Sequence, residues 1–353
     1  MSSILHKLIY FIYLYSFQTP LSSSVLSFSL SCYIAQSPNN PLRALPALTI
    51  IRKGRMNICE YIRGIMLEFY TPSLADKHLF PDHSKHLAYE YYYSYVALWA
   101  DAIGITICKT DTALYMHLEE DDCFLLPITD DLPSAMQELE EHCRETGQRF
   151  LLECVPNEEA EQLKAMGYQT EHVRNLDDYL YESEKLIKLS GKKLQSKRNH
   201  INQFEKHYTY SVRPLNSKEL RDECYKMAST TWLDGKDCTT KEIRDELGAL
   251  KRALDGWDEL NFKGILVCVD HNLTAFTIGE IIDEEMAIVH FEKADTSYKG
   301  IYSVINQLFV SEYLSDVHYV NRQEDAGIAG LRKAKLSYKP DLMVEKYRVT
   351  KQT

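Results

Sequence analysis

From residue 56 onward the chain switches repeatedly between two hydrophobic rhythms. Runs with a two-residue period predict short strands at 103–108, 112–118 and 123–128, and again in "RFLLECV". Apolar positions three to four apart predict helices at 131–146 and 157–166, and this first unit ends near Tyr181. Ahead of it, "LAYEYYYSYVALWAD" sets Tyr92, Tyr95, Val96 and Trp99 at helical spacing, a core-packing pattern. The second half opens with a long helix in "LSGKKLQSKRNHINQFEKHY", then a strand at 208–214 and helices at 217–231 and 240–255. Three strands follow, "FKGILVCVD", "TAFTIGEII" and "MAIVHFEK", the first two joined by a tight turn at His271-Asn272. A helix at 300–314, the strand "VHYV", a helix at 327–337 and a last strand near "LMVEKY" complete the pattern.

That order, β-α-α-β-β-β-α-β-α-β, resembles the acyltransferase fold of the GNAT superfamily, and the first half has a looser version of the same layout. The expected fold class is therefore α/β: two tandem GNAT-like domains with mixed, mostly antiparallel sheets flanked by helices. Residues 56–181 form the first expected domain and 182–353 the second, with 182–207 as the joining segment. A length of 353 residues suits two domains.

Composition sets residues 1–55 apart. They hold five cations and no carboxylate, so the net charge of -11 leaves -16 for the remainder. Their apolar stretch "LIYFIYLYSF" is too short to span a bilayer. We read them as a non-domain extension, either a signal-like segment or sequence upstream of a true start at Met56. The acidic balance argues against indiscriminate coating of nucleic acid, and DNA is not an expected partner. Nine cysteines never form C-x-x-C and several lie in apolar runs, as reduced core thiols of a cytoplasmic protein would. His78, His83 and His86 in "DKHLFPDHSKH" sit in a loop with no fixed face, so no metal site is expected.

Against this acidic background two basic helices stand out. A 100° step per residue puts Lys197 and Arg198 beside Leu194, Ile201 and Tyr208 on an inward stripe, with Lys192, Ser196, Asn199 and Gln203 outward. In "VNRQEDAGIAGLRKAKLSYKP", Arg332 and Lys335 likewise share a side with Ile328. Cations turned inward require anionic partners. Two readings stay open: internal ion pairs with Glu205, Glu324 or Asp325, or a pocket for phosphate or a nucleic acid end. On the strand "MAIVHFEK", alternation places His290 and Glu292 on one face. The helix after it opens near Gly300, and in GNAT enzymes that turn holds the pyrophosphate of coenzyme A. Here it reads Ser297-Tyr298-Lys299-Gly300-Ile301-Tyr302 and keeps only the middle glycine of the usual pattern, which disfavours coenzyme A.

Together "KRNHINQF", "FEKADTSYKGIYSVINQLF" and "VNRQEDAGIAGLRKAKLSYKP" resemble the phosphatidylglycerol lysyltransferase C-terminal-domain family, in its short bacterial branch, over roughly Tyr61 to Tyr347. The resemblance implies paired GNAT-like domains, as in FemABX transferases, which move an amino acid from aminoacyl-tRNA to an amine or a lipid hydroxyl. It implies tRNA or donor-phosphate contacts from Lys197, Arg198, Gly300, Arg332 and Lys335. It implies an acceptor side lined by Tyr302, Asn306, Asn321 and Asp325, with Glu292 and Asp295 as candidate catalytic bases. No certain cofactor follows: aminoacyl-tRNA is the expected donor and acetyl-CoA the alternative. The acceptor is expected to be a small molecule or a lipid headgroup reached without membrane insertion. An acetyl-CoA-dependent N-acetyltransferase and a catalytically silent binding module are the competing readings.

Overall fold

In a computed structural model, which describes residues 66–81, 87–231 and 241–351, the predicted helices and strands form close to their expected positions. Residues 1–55, Met56, His83 and His86 lie outside the described residues. From Glu68 the chain forms one compact unit built on two sheets.

The first half runs α1 (Tyr93–Ile103), β1 (Ile105–Lys109), β2 (Leu114–Leu118), β3 (Cys123–Phe124), α2 (Leu132–Thr146), β4 (Leu151–Pro156), α3 (Asn157–Ala165), β5 (Gln169–His172) and β6 (Asp178–Glu182). Local signals explain the helix ends. Gly104 and Gly147 close α1 and α2 in the left-handed conformation, and the Asp131 carboxylate accepts the Ser134 N–H at the start of α2. The second half runs α4 (Ser183–Lys188), α5 (Gln195–His207), β7 (Tyr210–Pro214), α6 (Lys218–Thr231), α7 (Lys241–Asp255), β8 (Lys263–Val269), β9 (Asn272–Ile281), β10 (Met286–Ala294), α8 (Ile301–Tyr313), β11 (Tyr319–Asn321), α9 (Ala329–Leu336), β12 (Leu342–Val344) and β13 (Lys346–Thr350).

The first sheet is ordered β1-β2-β3-β4-β13-β5 and the second β12-β6-β11-β10-β9-β8-β7. The second keeps the predicted antiparallel run β7 to β10 and then a parallel pairing of β10 with β11, across α8. This is the GNAT-like layout. Two strands nevertheless cross the boundary expected at 181/182. β6 inserts between β11 and β12 in the second sheet, while the C-terminal β13 pairs with β4 and β5 in the first. The expected single last strand is thus two strands in different sheets. Periodicity reports that a strand is buried, and says nothing of which strand lies beside it.

Two smaller differences have clear causes. The turn between β8 and β9 is Asp270-His271, both at positive φ as a two-residue hairpin demands, so the turn sits one residue earlier than predicted. In β10 the register against β9 skips between Val289 and Phe291, which makes His290 a bulge. Strict alternation fails there.

The sheets are tied by a buried ionic cluster. Lys346 Nζ, on β13, donates to Asp178 Oδ1 on β6 at 2.7 Å and to Glu90 Oε1 at 2.5 Å, and all three side chains are buried. The other Asp178 oxygen accepts Asn321 Nδ2 at 2.9 Å and the Tyr89 N–H at 3.3 Å. Burial raises the Glu90 and Asp178 pKa values and would lower that of Lys346, but its two carboxylate neighbours hold it above the ordinary range. The described cysteines 108, 123, 143, 154, 224 and 268 are free thiols. Among the described residues no helix is long and apolar enough to cross a membrane.

Candidate active site

The bulged strand β10, the start of α8 and the helices α5, α7 and α9 surround a cavity of about 950 Å³. The bulge lets consecutive residues, Val289 to Lys293, all reach its wall. Gly300 opens α8 at φ 96°, and a Cβ there would stand 2.3 Å from the His200 carbonyl oxygen. Helix α5 therefore lies directly against the turn that precedes α8. The position tolerates only glycine, and the same contact brings Lys197 and His200 to the cavity.

At the cavity wall Arg322 pairs with Glu292, Nη2 to Oε1 at 2.7 Å, beside the Tyr338 ring at 5.0 Å. The other Glu292 oxygen accepts Asn306 Nδ2 at 3.1 Å. The second terminal nitrogen of Arg322, Nη1, is buried without a hydrogen-bond partner among the described residues, as is Asn306 Oδ1. Lys197 Nζ lies over the same Tyr338 ring, 3.9 Å from its centroid. Burial, and then the adjacent Arg322, push the Lys197 pKa down to about 8. This corner thus holds two cations against one carboxylate. Lys335 also lines the cavity, but its ammonium donates to the carbonyls of Arg322, at 2.6 Å, Gln323, at 3.0 Å, and Glu324, and burial lowers its pKa to about 8.

His290 has a carboxylate partner, Glu280 Oε1, at 3.0 Å from Nε2, and Glu280 also accepts the Ser94 hydroxyl. Gln323 Nε2 lies 3.3 Å from the other ring nitrogen. Across the cavity, α7 contributes Glu242, Asp245 and Glu246 together with Lys241, which pairs with Asp245 at 2.7 Å, and Glu246 is paired with Lys293 at 2.6 Å.

Of the residues expected in the site, Lys197, Glu292, Gly300, Tyr302 and Lys335 line this cavity. Asn306 stands behind it, holding Glu292. The others serve the scaffold. Arg198 donates to the Leu189 and Gly191 carbonyls and to Gln195, which fastens the loop before α5. Arg332 makes a two-pronged pair with Asp325, at 2.8 and 2.7 Å, and bonds Asn175. Asp325 is consumed by that pair, by Tyr179 and by the Gly327 N–H. Burial would raise the Asp325 pKa, yet these bonds bring it down to about 2. Asn321 belongs to the Lys346 cluster, and Asp295 accepts the Ser297 N–H in a turn outside the cavity wall. Arg332 is ion-paired with Asp325, as the internal reading expects, whereas Arg198 is satisfied by two carbonyls and the Gln195 side-chain oxygen and meets no carboxylate among the described residues. Arg322 and Glu280 were missed: nothing in "YVNRQ" marks that arginine as inward, since β11 is too short to show a period.

A profile of the family described as "Phosphatidylglycerol lysyltransferase, C-terminal" matches residues 83–350. A conserved protein of unknown function from Bacteroides thetaiotaomicron is 29% identical with a TM-score of 0.76, covering 81% of this chain and 100% of that one. The C-terminal domain of a candidate lysylphosphatidylglycerol synthetase from Agrobacterium fabrum shares the fold, with a TM-score of 0.53, 14% identity and coverage of 74% and 88%. An uncharacterized protein of Mycoplasmoides gallisepticum is 30% identical over 177 residues, 49% of this chain. The chain spans about half the length of that curated relative, 55%. With the family profile running from the Lys346 cluster's Glu90 through the whole cavity to β13, the chain belongs to the phosphatidylglycerol lysyltransferase C-terminal family.

Proposed function

We propose that the protein transfers an aminoacyl group from a tRNA-type donor to an amine or hydroxyl acceptor. The observation that carries this reading is the excess positive charge at Arg322 and Lys197, where one buried guanidinium nitrogen has no hydrogen-bond partner among the described residues. Such a corner is stabilised by an anion or by a developing oxyanion. In the transfer, the acceptor heteroatom attacks the ester carbonyl and the bond to the ribose oxygen breaks. The acceptor's proton ends on that leaving oxygen. Arg322, held by Glu292 and the Tyr338 ring, faces the negative charge, and Lys197 is placed to supply the proton. Both Glu292 oxygens are engaged, so Glu292 acts as a positioning residue for Arg322 and not as the base. An aminoacyl ester is already activated, and placement alone lowers its barrier substantially. The turn keeps only Gly300 of the usual pyrophosphate-binding pattern and has Tyr302 at its last small-residue position, which favours this donor over acetyl-CoA.

The test is protein-dependent loss of labelled amino acid from a charged bacterial tRNA pool, with phosphatidylglycerol vesicles and lysine-terminated peptides offered as acceptors. Arg322→Met should slow transfer about thirtyfold or more, as loss of a buried charged contact is worth roughly 2 kcal/mol or more. Stabilisation by acetyl-CoA, with indifference to charged tRNA, would overturn the reading in favour of an N-acetyltransferase. Indifference to both would leave a binding module.

A further inference from the structure

The residues between 182 and 208 carry seven Lys or Arg against three Glu, and 332–339 carry four against none, in a chain of net charge -11. The fold brings these two segments together. Lys185, Lys188 and Lys193 from the first, and Lys339 from the second, line one groove of about 560 Å³ together with the carboxylates of Glu182, Glu184 and Asp341. Lys185 is engaged by Asp341 and Lys188 by Glu184. Lys192, Lys193 and Lys339 are exposed and make no ion pair among the described residues. Lys192 and Lys193 lie in the short 3-10 turn that immediately precedes α5, and Lys197 and His200 on α5 line the cavity.

We propose that Lys192, Lys193 and Lys339 are the docking surface for the RNA part of the donor, whose phosphates run along α5 and deliver its 3′ end to Lys197 and Arg322. The proposal rests on the transfer reading of the cavity. Consecutive phosphates suit a row of unpaired ammonium groups, which gain by displacing counterions. The negative charge of the rest of the chain repels RNA elsewhere and so confines it to this strip. The inward cations, Arg198, Arg332 and Lys335, take no part, because the protein already satisfies them.

Binding of full-length protein to fluorescent deacylated tRNA, followed by anisotropy across a salt series, tests this. The double variant K192E/K193E should bind about tenfold more weakly or worse near 0.1 M salt, with a salt slope shallower by about 1.4 for two lost single-strand contacts. Its melting temperature should not change, and K109E on β1 should bind as wild type does. If wild-type protein binds tRNA and K192E/K193E binds equally well, this surface is refuted while the transfer reading stands. If wild-type protein does not bind tRNA even at low salt, the donor reading itself falls, and the surface with it. Should the double variant lose affinity only for vesicles of anionic phospholipid, the strip serves a membrane and the RNA assignment is wrong.

Discussion

Two clusters of buried charge in this molecule are built from the same residue types and end in opposite states. At the junction of the sheets, Lys346 is enclosed by Glu90 and Asp178, and Asn321 and a backbone N–H occupy the remaining Asp178 oxygen. At the cavity, Arg322 and Lys197 share the carboxylate of Glu292, and one guanidinium nitrogen has no hydrogen-bond partner among the described residues. The first cluster spends its cation on holding β13 to β6. The second keeps positive charge in reserve beside an open space. A buried cation is thus a sign of function only when its surroundings fail to neutralise it.

The contrast can be broken most forcefully at Lys346. Lys346→Ala strands two carboxylates inside the protein, and urea denaturation should show a loss of about 3–5 kcal/mol, the usual result of breaking a buried pair. Equal stability in variant and wild type would mean that the cluster is not what joins the sheets.

Next in size is Arg332, which the geometry assigns to the scaffold. Arg332→Ala should lower the melting temperature at neutral pH and leave tRNA binding unchanged. Its partner gives the pH signature. Asp325 titrates near 2 in the folded protein against an ordinary 3.8, so its contribution is complete above about pH 4 and disappears as pH falls toward 2. The variant should therefore show a flatter loss of stability between pH 4 and 2. A fall in tRNA affinity without a fall in melting temperature would return Arg332 to the binding site.

The smallest effect distinguishes the cavity cluster from its closed counterpart by pH alone. Lys197 loses its proton as pH rises through about 8, so donor affinity should decline above that pH. Lys197→Arg keeps its charge and should hold affinity level into the alkaline range. Parallel pH curves for the two proteins would remove Lys197 from anion binding.

The longer helices and strands were legible in the sequence because each has a run of one hydrophobic period, and the turn glycines and the Asp131 cap mark the ends of α1 and α2, whereas the short elements β5, β6 and α4 carry no such run. The fold class followed from their order. So did the general location of the site, since Lys197, Glu292, Gly300, Tyr302 and Lys335 do meet at one cavity. Only the tertiary structure decided which cations are spent. Helical period can show that Arg198, Arg332 and Lys197 lean inward, but whether an oxygen waits for each depends on neighbours distant in the chain or on loop carbonyls that have no side-chain signature. The exchange of β6 and β13 between sheets, the bulge at His290 and the inward Arg322 have the same origin: each is a choice of partner, made by packing and charge in three dimensions, where a one-dimensional pattern records only whether a position is wet or dry.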